Sequence, residues 1–178
     1  MCDLGPVTYF LGIEVTRMES GLFLNQRKYV LEILKEYGML GAQPSTFPME
    51  QHHRLTADSG TPLNDPSRYR QLVGRLMTIT RPKLCYPVHI LSQFMPDPRQ
   101  DNWDAAMRVL RYLKQSPGHG IFLRPNSLEL EVYCDSDWVS CPMTRRSITR
   151  YFVTLGGCPI SWKTKKQSTV SCSSAELA

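Results

Sequence analysis

The chain has 178 residues, is 42% hydrophobic and 21% charged, and carries a formal net charge of +5. These values exclude collagen, coiled coil and wholesale disorder, and the length suffices for one ordinary core or two small ones. No apolar run approaches the ~20 residues that a membrane-spanning helix needs, and the N-terminus lacks a signal-peptide pattern, so a soluble intracellular chain is expected.

Val7 to Thr16 is rich in β-branched and aromatic residues and predicts a strand, with Gly21 to Leu24 as its hairpin partner across the polar turn Met18–Gly21. A helix follows, in which Val30, Ile33, Leu34 and Tyr37 share one face and Gly38 is the stop. Residues 40–66 hold four prolines and little periodicity, which predicts a long connecting loop. Tyr69, Leu72, Val73, Leu76 and Ile79 make the stripe of a second helix, ended by Pro82, and Tyr86 to Phe94 begins a third. Asp101 is the predicted cap of a fourth, whose stripe is Trp103, Ala106, Met107, Leu110 and Leu113. From Gly120 the pattern turns to β, with strand candidates at Ile121–Leu123, Leu128–Tyr133, Ile148–Leu155 and Pro159–Trp162. In the second of these, Leu128, Leu130 and Val132 alternate with Glu129, Glu131 and Tyr133, the period of a half-buried strand. The reading is an α+β chain with a boundary near residues 117–127.

Six cysteines (Cys2, Cys85, Cys134, Cys141, Cys158 and Cys172) are scattered with no C-x-x-C pair, and the four histidines complete no zinc spacing. Free thiols are expected. The positive charge is concentrated. Residues 1–140 balance, whereas residues 141–178 hold Arg145, Arg146, Arg150, Lys163, Lys165 and Lys166 against Glu176 alone. That segment fits either an anionic partner, nucleic acid first, or a solvated basic loop.

The stretch most suggestive of chemistry is Cys134-Asp135-Ser136-Asp137-Trp138, at the end of the alternating strand. Two carboxylates at a strand terminus suit Mg²⁺, which prefers hard oxygen ligands, although acidic residues there also serve simply as turn formers. Further motifs surround it. Asp3 to Val15, Leu22 to Met39, Tyr69 to Leu76, Thr80-Arg-Pro82, Leu91 to Met95 and Val109 to Lys114 are followed by Asp135 to Trp138 and Arg145-Arg-Ser147. Leu155-Gly-Gly157, Ile160 to Lys163, Lys165-Lys-Gln167 and Ser173-Ser-Ala-Glu176 complete the series. In this order they resemble the Pol polyprotein of plant-type copia LTR retrotransposons along nearly the whole chain.

The resemblance implies that residues 1–117 correspond to the end of the reverse-transcriptase palm and a helical thumb or connection region with an N-terminal β-hairpin. Residues 118–178 would be the truncated N-terminal part of an RNase H-like domain with a mixed β-sheet. Its ancestral activities, RNA-directed DNA polymerase and ribonuclease H, would both have incomplete centres. The family's Tyr-x-Asp-Asp polymerase motif does not occur in the sequence. Asp135 matches the first acid of the RNase H set, and Asp137 stands beside it without the same role. Glu176 falls within the family pattern Ser-Ser-x-Glu-Ala-Glu in either of two registers. In one it matches the first Glu, with Ala178 at the catalytic position; in the other it is itself catalytic. Mg²⁺ is the implied cofactor, near Asp135 and Asp137, and is not expected to bind stably without the remaining acids. Arg145, Arg146, Lys163, Lys165 and Lys166 would contact the phosphates of an RNA·DNA hybrid, with Trp138 and Trp162 nearby. The sequence departs from the family pattern at Arg150, usually Gly, at Lys83, usually Asp, and at Asn102, usually His. Three readings follow: a fragment without independent catalysis and with some nucleic-acid binding, a residual nuclease active when complemented, or a domesticated protein-interaction module.

Overall fold

Apolar side chains at helical spacing fold as helices in the computed structural model, which describes residues 5–50, 53, 55–58, 60–76, 80–124, 126–137 and 147–167. Helix α1 (Arg27–Glu36) buries Val30, Ile33 and Leu34, and Gly38, at φ 68°, takes the left-handed conformation that ends it. Helix α2 (Pro66–Arg75) starts where the Asp65 carboxylate accepts the amides of Ser67 and Arg68 at 3.0 and 3.3 Å, with Pro66 in the first turn. It ends at Arg75 with Leu76 as its C-cap, short of the expected run to Ile79, and residues 77–79 lie outside the described residues. A 3-10 turn (Pro82–Leu84) leads into α3 (Cys85–Ser92).

Helix α4 (Gln100–Gln115) buries Ala106, Leu110 and Leu113 of its predicted stripe, together with Val109, while Trp103 and Met107 are half-buried. Asp101 is not its cap. Arg99 is the N-cap, its amide donating to the Asn102 side-chain oxygen at 2.8 Å, so the helix begins two residues earlier. Asp101 then lies in the first turn, where its charge complements the positive end of the helix dipole.

These four helices share one apolar cluster, to which Leu76, Leu84, Ile90, Leu91 and Phe94 also belong. Tyr69 lies fully buried within it, and its hydroxyl donates to the Leu91 carbonyl at 2.8 Å. Burial pushes the Tyr69 pKa above its ordinary value of 10.0. A group raised in the folded state contributes stability that is complete below the unfolded value and is lost as the pH rises through the folded one. Stability is therefore expected to fall at alkaline pH. Tyr69→Phe should lose about 1 kcal/mol at neutral pH, from the lost buried hydrogen bond, and show a shallower alkaline decline in urea melts at pH ~8 and ~11.

A polar tie crosses this cluster. The Gln26 side-chain oxygen, just before α1, accepts from the Thr80 amide at 3.3 Å and from its hydroxyl at 3.2 Å. Next to it, the Arg81 guanidinium donates from Nη2 to the carbonyls of Ser116 and Pro117 at 2.6 and 2.7 Å, just beyond α4. Thr80 and Arg81 thus fasten the start of α1 to the end of α4.

The expected strand over Val7–Thr16 is two strands. Leu11 and Gly12 take positive φ values of 49° and 80°, the signature of a tight hairpin turn. The turn separates β1 (Tyr9–Phe10) from β2 (Ile13–Met18), and β2 pairs antiparallel with β3 (Gly21–Asn25) as predicted. Strand β4 (Gly120–Leu123) pairs with β3, Leu24 opposite Ile121, and so closes the N-terminal sheet instead of joining the later strands. The close approach demands glycine at Gly120, where a Cβ would meet the Leu24 carbonyl oxygen at 2.2 Å.

The second sheet comprises β5 (Leu130–Asp137), β6 (Ile148–Leu155) and β7 (Cys158–Lys166) in sequence order. Its described pairings are all antiparallel, where a mixed sheet was expected. The short Gly156–Gly157 turn between β6 and β7 allows only that arrangement, since a parallel pair needs a long crossover. Nor is β5 half-buried as its alternation predicted. Leu128, Leu130 and Val132 are 86%, 61% and 62% exposed, because nothing among the described residues covers that face. The chain as a whole is α+β, with four α-helices and two antiparallel sheets among the described residues.

Candidate nucleic-acid interface

Successive side chains on a strand point to opposite faces, so the register of the second sheet sorts its residues into rows. On the face turned toward α3, Tyr133, Phe152 and Trp162 stand opposite one another across three strands. Their rings form a continuous row, with centroids 6.5 Å apart for Tyr133 and Phe152 and 6.4 Å for Phe152 and Trp162. The next row on this face is Asp135, Arg150 and Thr164, and the one after it includes Ile148 and Lys166. Ile148 is fully buried and belongs to the helical core, so this face is the one packed inward.

A cleft of about 330 Å³ opens between that face and the segment leading into α3. Lys83, Cys85 and Tyr86 line one wall, and Asp135, Arg150 and the aromatic row line the other. The Arg150 guanidinium lies 4.6 Å from the centroid of the Tyr86 ring, a cation–π contact that holds it across the opening. His53 shares a hydrogen bond of 3.3 Å with the Tyr86 hydroxyl. Burial pushes the Cys85 thiol pKa up, so it is a protonated wall and not a nucleophile. Burial lowers the His89 pKa, helped by Lys166, and the ring stays neutral at physiological pH.

Among the described residues the predicted site residues do not assemble into one centre, although Lys163 lines the same cleft as Asp135. Asp135 is exposed at the cleft mouth. Lys163 and Lys165, exposed on the opposite face, share it with Tyr151 and Thr149. Lys166 is back on the inner face, where its ammonium donates to the Gln93 side chain at 3.1 Å beside the end of α3. Arg145, Arg146, Trp138 and Glu176, and the side chain of Asp137, lie outside the described residues.

The divalent ion that the resemblance implies does not fit the described part of this site. Among the described residues no three His, Cys, Asp or Glu side chains converge, and the cross-strand neighbour of Asp135 is the cation Arg150. The cleft itself is not legible in the sequence, where Tyr86, Phe152 and Cys85 look like ordinary core or strand positions. A signal exists at Lys83 and Arg150. Both depart from the family pattern, and both place a cation in this cleft.

Comparison with known proteins gives a consistent answer. The retrovirus-related Pol polyprotein from transposon RE2 of Arabidopsis thaliana is 48% identical over 171 residues, which are 94% of this chain and 12% of that protein. The corresponding polyprotein from transposon RE1 is 46% identical over 177 residues, 98% of this chain and 12% of its own length. An uncharacterized mitochondrial protein of Arabidopsis thaliana is 45% identical over 179 residues, covering 99% of this chain and 74% of that protein. No family model matches the chain, and no solved structure does. The chain belongs to the retrovirus-related Pol polyproteins of plant copia-type transposons. It spans 12% of the length of the RE1 and RE2 polyproteins. No helix among the described residues is long and apolar enough to cross a membrane.

Proposed function

We propose that this chain is a segment of the reverse-transcriptase and RNase H part of such a polyprotein, which binds an RNA·DNA hybrid without hydrolysing it alone. The observation that carries the binding half is the placement of Lys163 and Lys165, two residues apart and both exposed on one face of β7. Cations so spaced along an extended strand lie ~7 Å apart and can follow a phosphate backbone without reading bases. Arg145 and Arg146 add to the same charge. The non-catalytic half is supported by Asp135, a single described carboxylate facing Arg150 across the strand pair, which makes no two-metal clamp.

Fluorescence anisotropy of a labelled RNA·DNA hybrid at about 50 and 200 mM salt tests this reading. Saturable binding is expected, weakening with salt by a log–log slope of about 0.9 per phosphate engaged. Neutralising Lys163, Lys165, Arg145 and Arg146 together should flatten that slope, and adding Mg²⁺ should release no cleaved hybrid. Absence of binding at low salt from a folded sample would overturn the reading. A protein-interaction module would then be favoured by the apolar outer face, where Leu130, Val132 and Ile160 are exposed.

A further inference from the structure

We propose that the cleft between the second sheet and α3 takes a single unpaired nucleotide, its base stacked on the Phe152–Trp162 row and its phosphate held by Arg150 and Lys83. This rests on the nucleic-acid reading above and adds to it a second, separate contact. Three observations carry it. The first is shape: about 330 Å³, at the lower end of small-ligand pockets, walled by rings on both sides. Tyr86 lines the facing wall with the Arg150 guanidinium over its ring, so a flat ring entering the cleft stacks on the Phe152–Trp162 row beside that cation.

The second observation is charge. Lys83 and Arg150 outnumber Asp135 among the ionic groups of the cleft, so a ligand carrying a negative charge is favoured over a metal cation. Arg150 is positioned before any ligand arrives, by its contact with the Tyr86 ring. A guanidinium so held loses little freedom on gripping a phosphate. The third is spacing. Arg150 and Phe152 are two residues apart on the same face of β6, so the anion grip and the stacking ring are ~7 Å apart. A base and its own phosphate can span such a distance together. Stacking on aromatic rings beside a positive groove is the general means of holding single strands without sequence preference.

Double helix cannot use this site, because a paired base presents only its edge. Lys163 and Lys165, in contrast, project from the opposite face of the sheet and serve a duplex backbone. The two faces therefore divide the work, with duplex outside and an unpaired nucleotide inside.

The test uses the full chain and its tryptophan emission, titrated with a single-stranded (dA)8 oligonucleotide, with AMP, and with a blunt RNA·DNA hybrid. Saturable quenching by (dA)8 is expected, disappearing in Trp162→Phe because Trp162 is the reporter in the cleft. Arg150→Ala should weaken (dA)8 binding by about tenfold, and Lys83→Ala by about threefold, while hybrid anisotropy changes less than twofold. Lys83 is exposed on the 3-10 turn, so its variant carries the test if Arg150→Ala fails to fold. Quenching by AMP as well as (dA)8 would identify a free nucleotide as a ligand; quenching by (dA)8 alone would identify a strand. The proposal is overturned if a folded chain shows no saturable quenching by either, or if quenching survives both substitutions unchanged. Intact hybrid binding with a silent cleft removes this inference only. Loss of hybrid binding in the unsubstituted chain removes the reading beneath it too.

Discussion

Replacing Arg81 by methionine is expected to lower stability by about 2–4 kcal/mol, measured by urea denaturation at neutral pH. Only 3% of Arg81 is exposed, and burial pulls its pKa down, with the nearby Tyr112 pushing it back. A guanidinium nevertheless stays protonated under any native condition, so the group is a buried cation. What compensates its lost hydration is the pair of carbonyls at Ser116 and Pro117, where α4 ends, of which Ser116 also accepts the His119 amide at 3.0 Å. Methionine fills similar space and removes the buried charge, which is why the loss stays below that of breaking a full ion pair. It also removes the charged donor from both carbonyls, leaving Ser116 with only the His119 amide, and that loss outweighs the relief of the charge. Arg81→Lys should recover less than half of the difference, since one ammonium lacks the planar fork that meets two carbonyls together. A change under about 0.5 kcal/mol in Arg81→Met would show that water replaces the tie, and would refute this account.

Ile148→Ala should detach the second sheet before it unfolds the helices. Among the described residues, Ile148 is the one member of β5, β6 and β7 in the apolar cluster built by the four helices. The remaining attachments are smaller and include the Arg150–Tyr86 cation–π contact, the Lys166–Gln93 bond and the 3.2 Å contact of the Arg124 amide with the Cys158 sulfur. Truncating a fully buried isoleucine costs about 2–5 kcal/mol where the site cannot collapse. Here that loss falls on a single anchor. Amide hydrogen exchange of the variant should therefore show β6 and β7 losing protection while α1 and α4 keep theirs. If both regions lose protection together, the sheet and the helices unfold as one unit and the anchor description is wrong.

Most of the helical body was legible in the sequence because its information is local. The stripes of α1, α2 and α4 and the stop at Gly38 follow from spacing and from one residue's backbone preference. The β2–β3 hairpin is local for the same reason. Strand β4 was misplaced because its partner is not its neighbour in the chain, and no pattern within Gly120–Leu123 points to Leu22–Asn25. The break at Leu11 was missed because a leucine with positive φ gives no warning of its own, and only the following Gly12 hinted at a turn. Thr80-Arg-Pro82 stands out in the sequence only through a resemblance, whereas its physical meaning is a link between two distant helix ends.

At the candidate site, the last strand read from the sequence stopped at Trp162, short of the lysines that β7 carries, although the sequence did set Asp135 at the end of a strand. It could not tell which of them share a face. That depends on the register of three strands and on the bulge between Val153 and Thr154, where a shift of one residue exchanges the faces. Arg150 shows the same limit. Its neighbours in sequence fit either a disturbed turn or solvent, and only the packing of α3 against the sheet turns it inward over Tyr86.

The pairing of β4 with β3 also sets an order of events during synthesis. The hairpin β2–β3 leaves the ribosome before the helices, with one strand edge open. The segment that closes it emerges only after all four helices have been made. Closing so large a loop has an entropic cost that local helix contacts do not, so the helices form first and the sheet waits for them. Until then the hydrogen-bonding edge of β3 is available to any other extended chain, including a second nascent copy on the same message. Nascent chains halted before Gly120 would thus be the sticky ones, and synthesis through Leu123 is the step that removes the hazard.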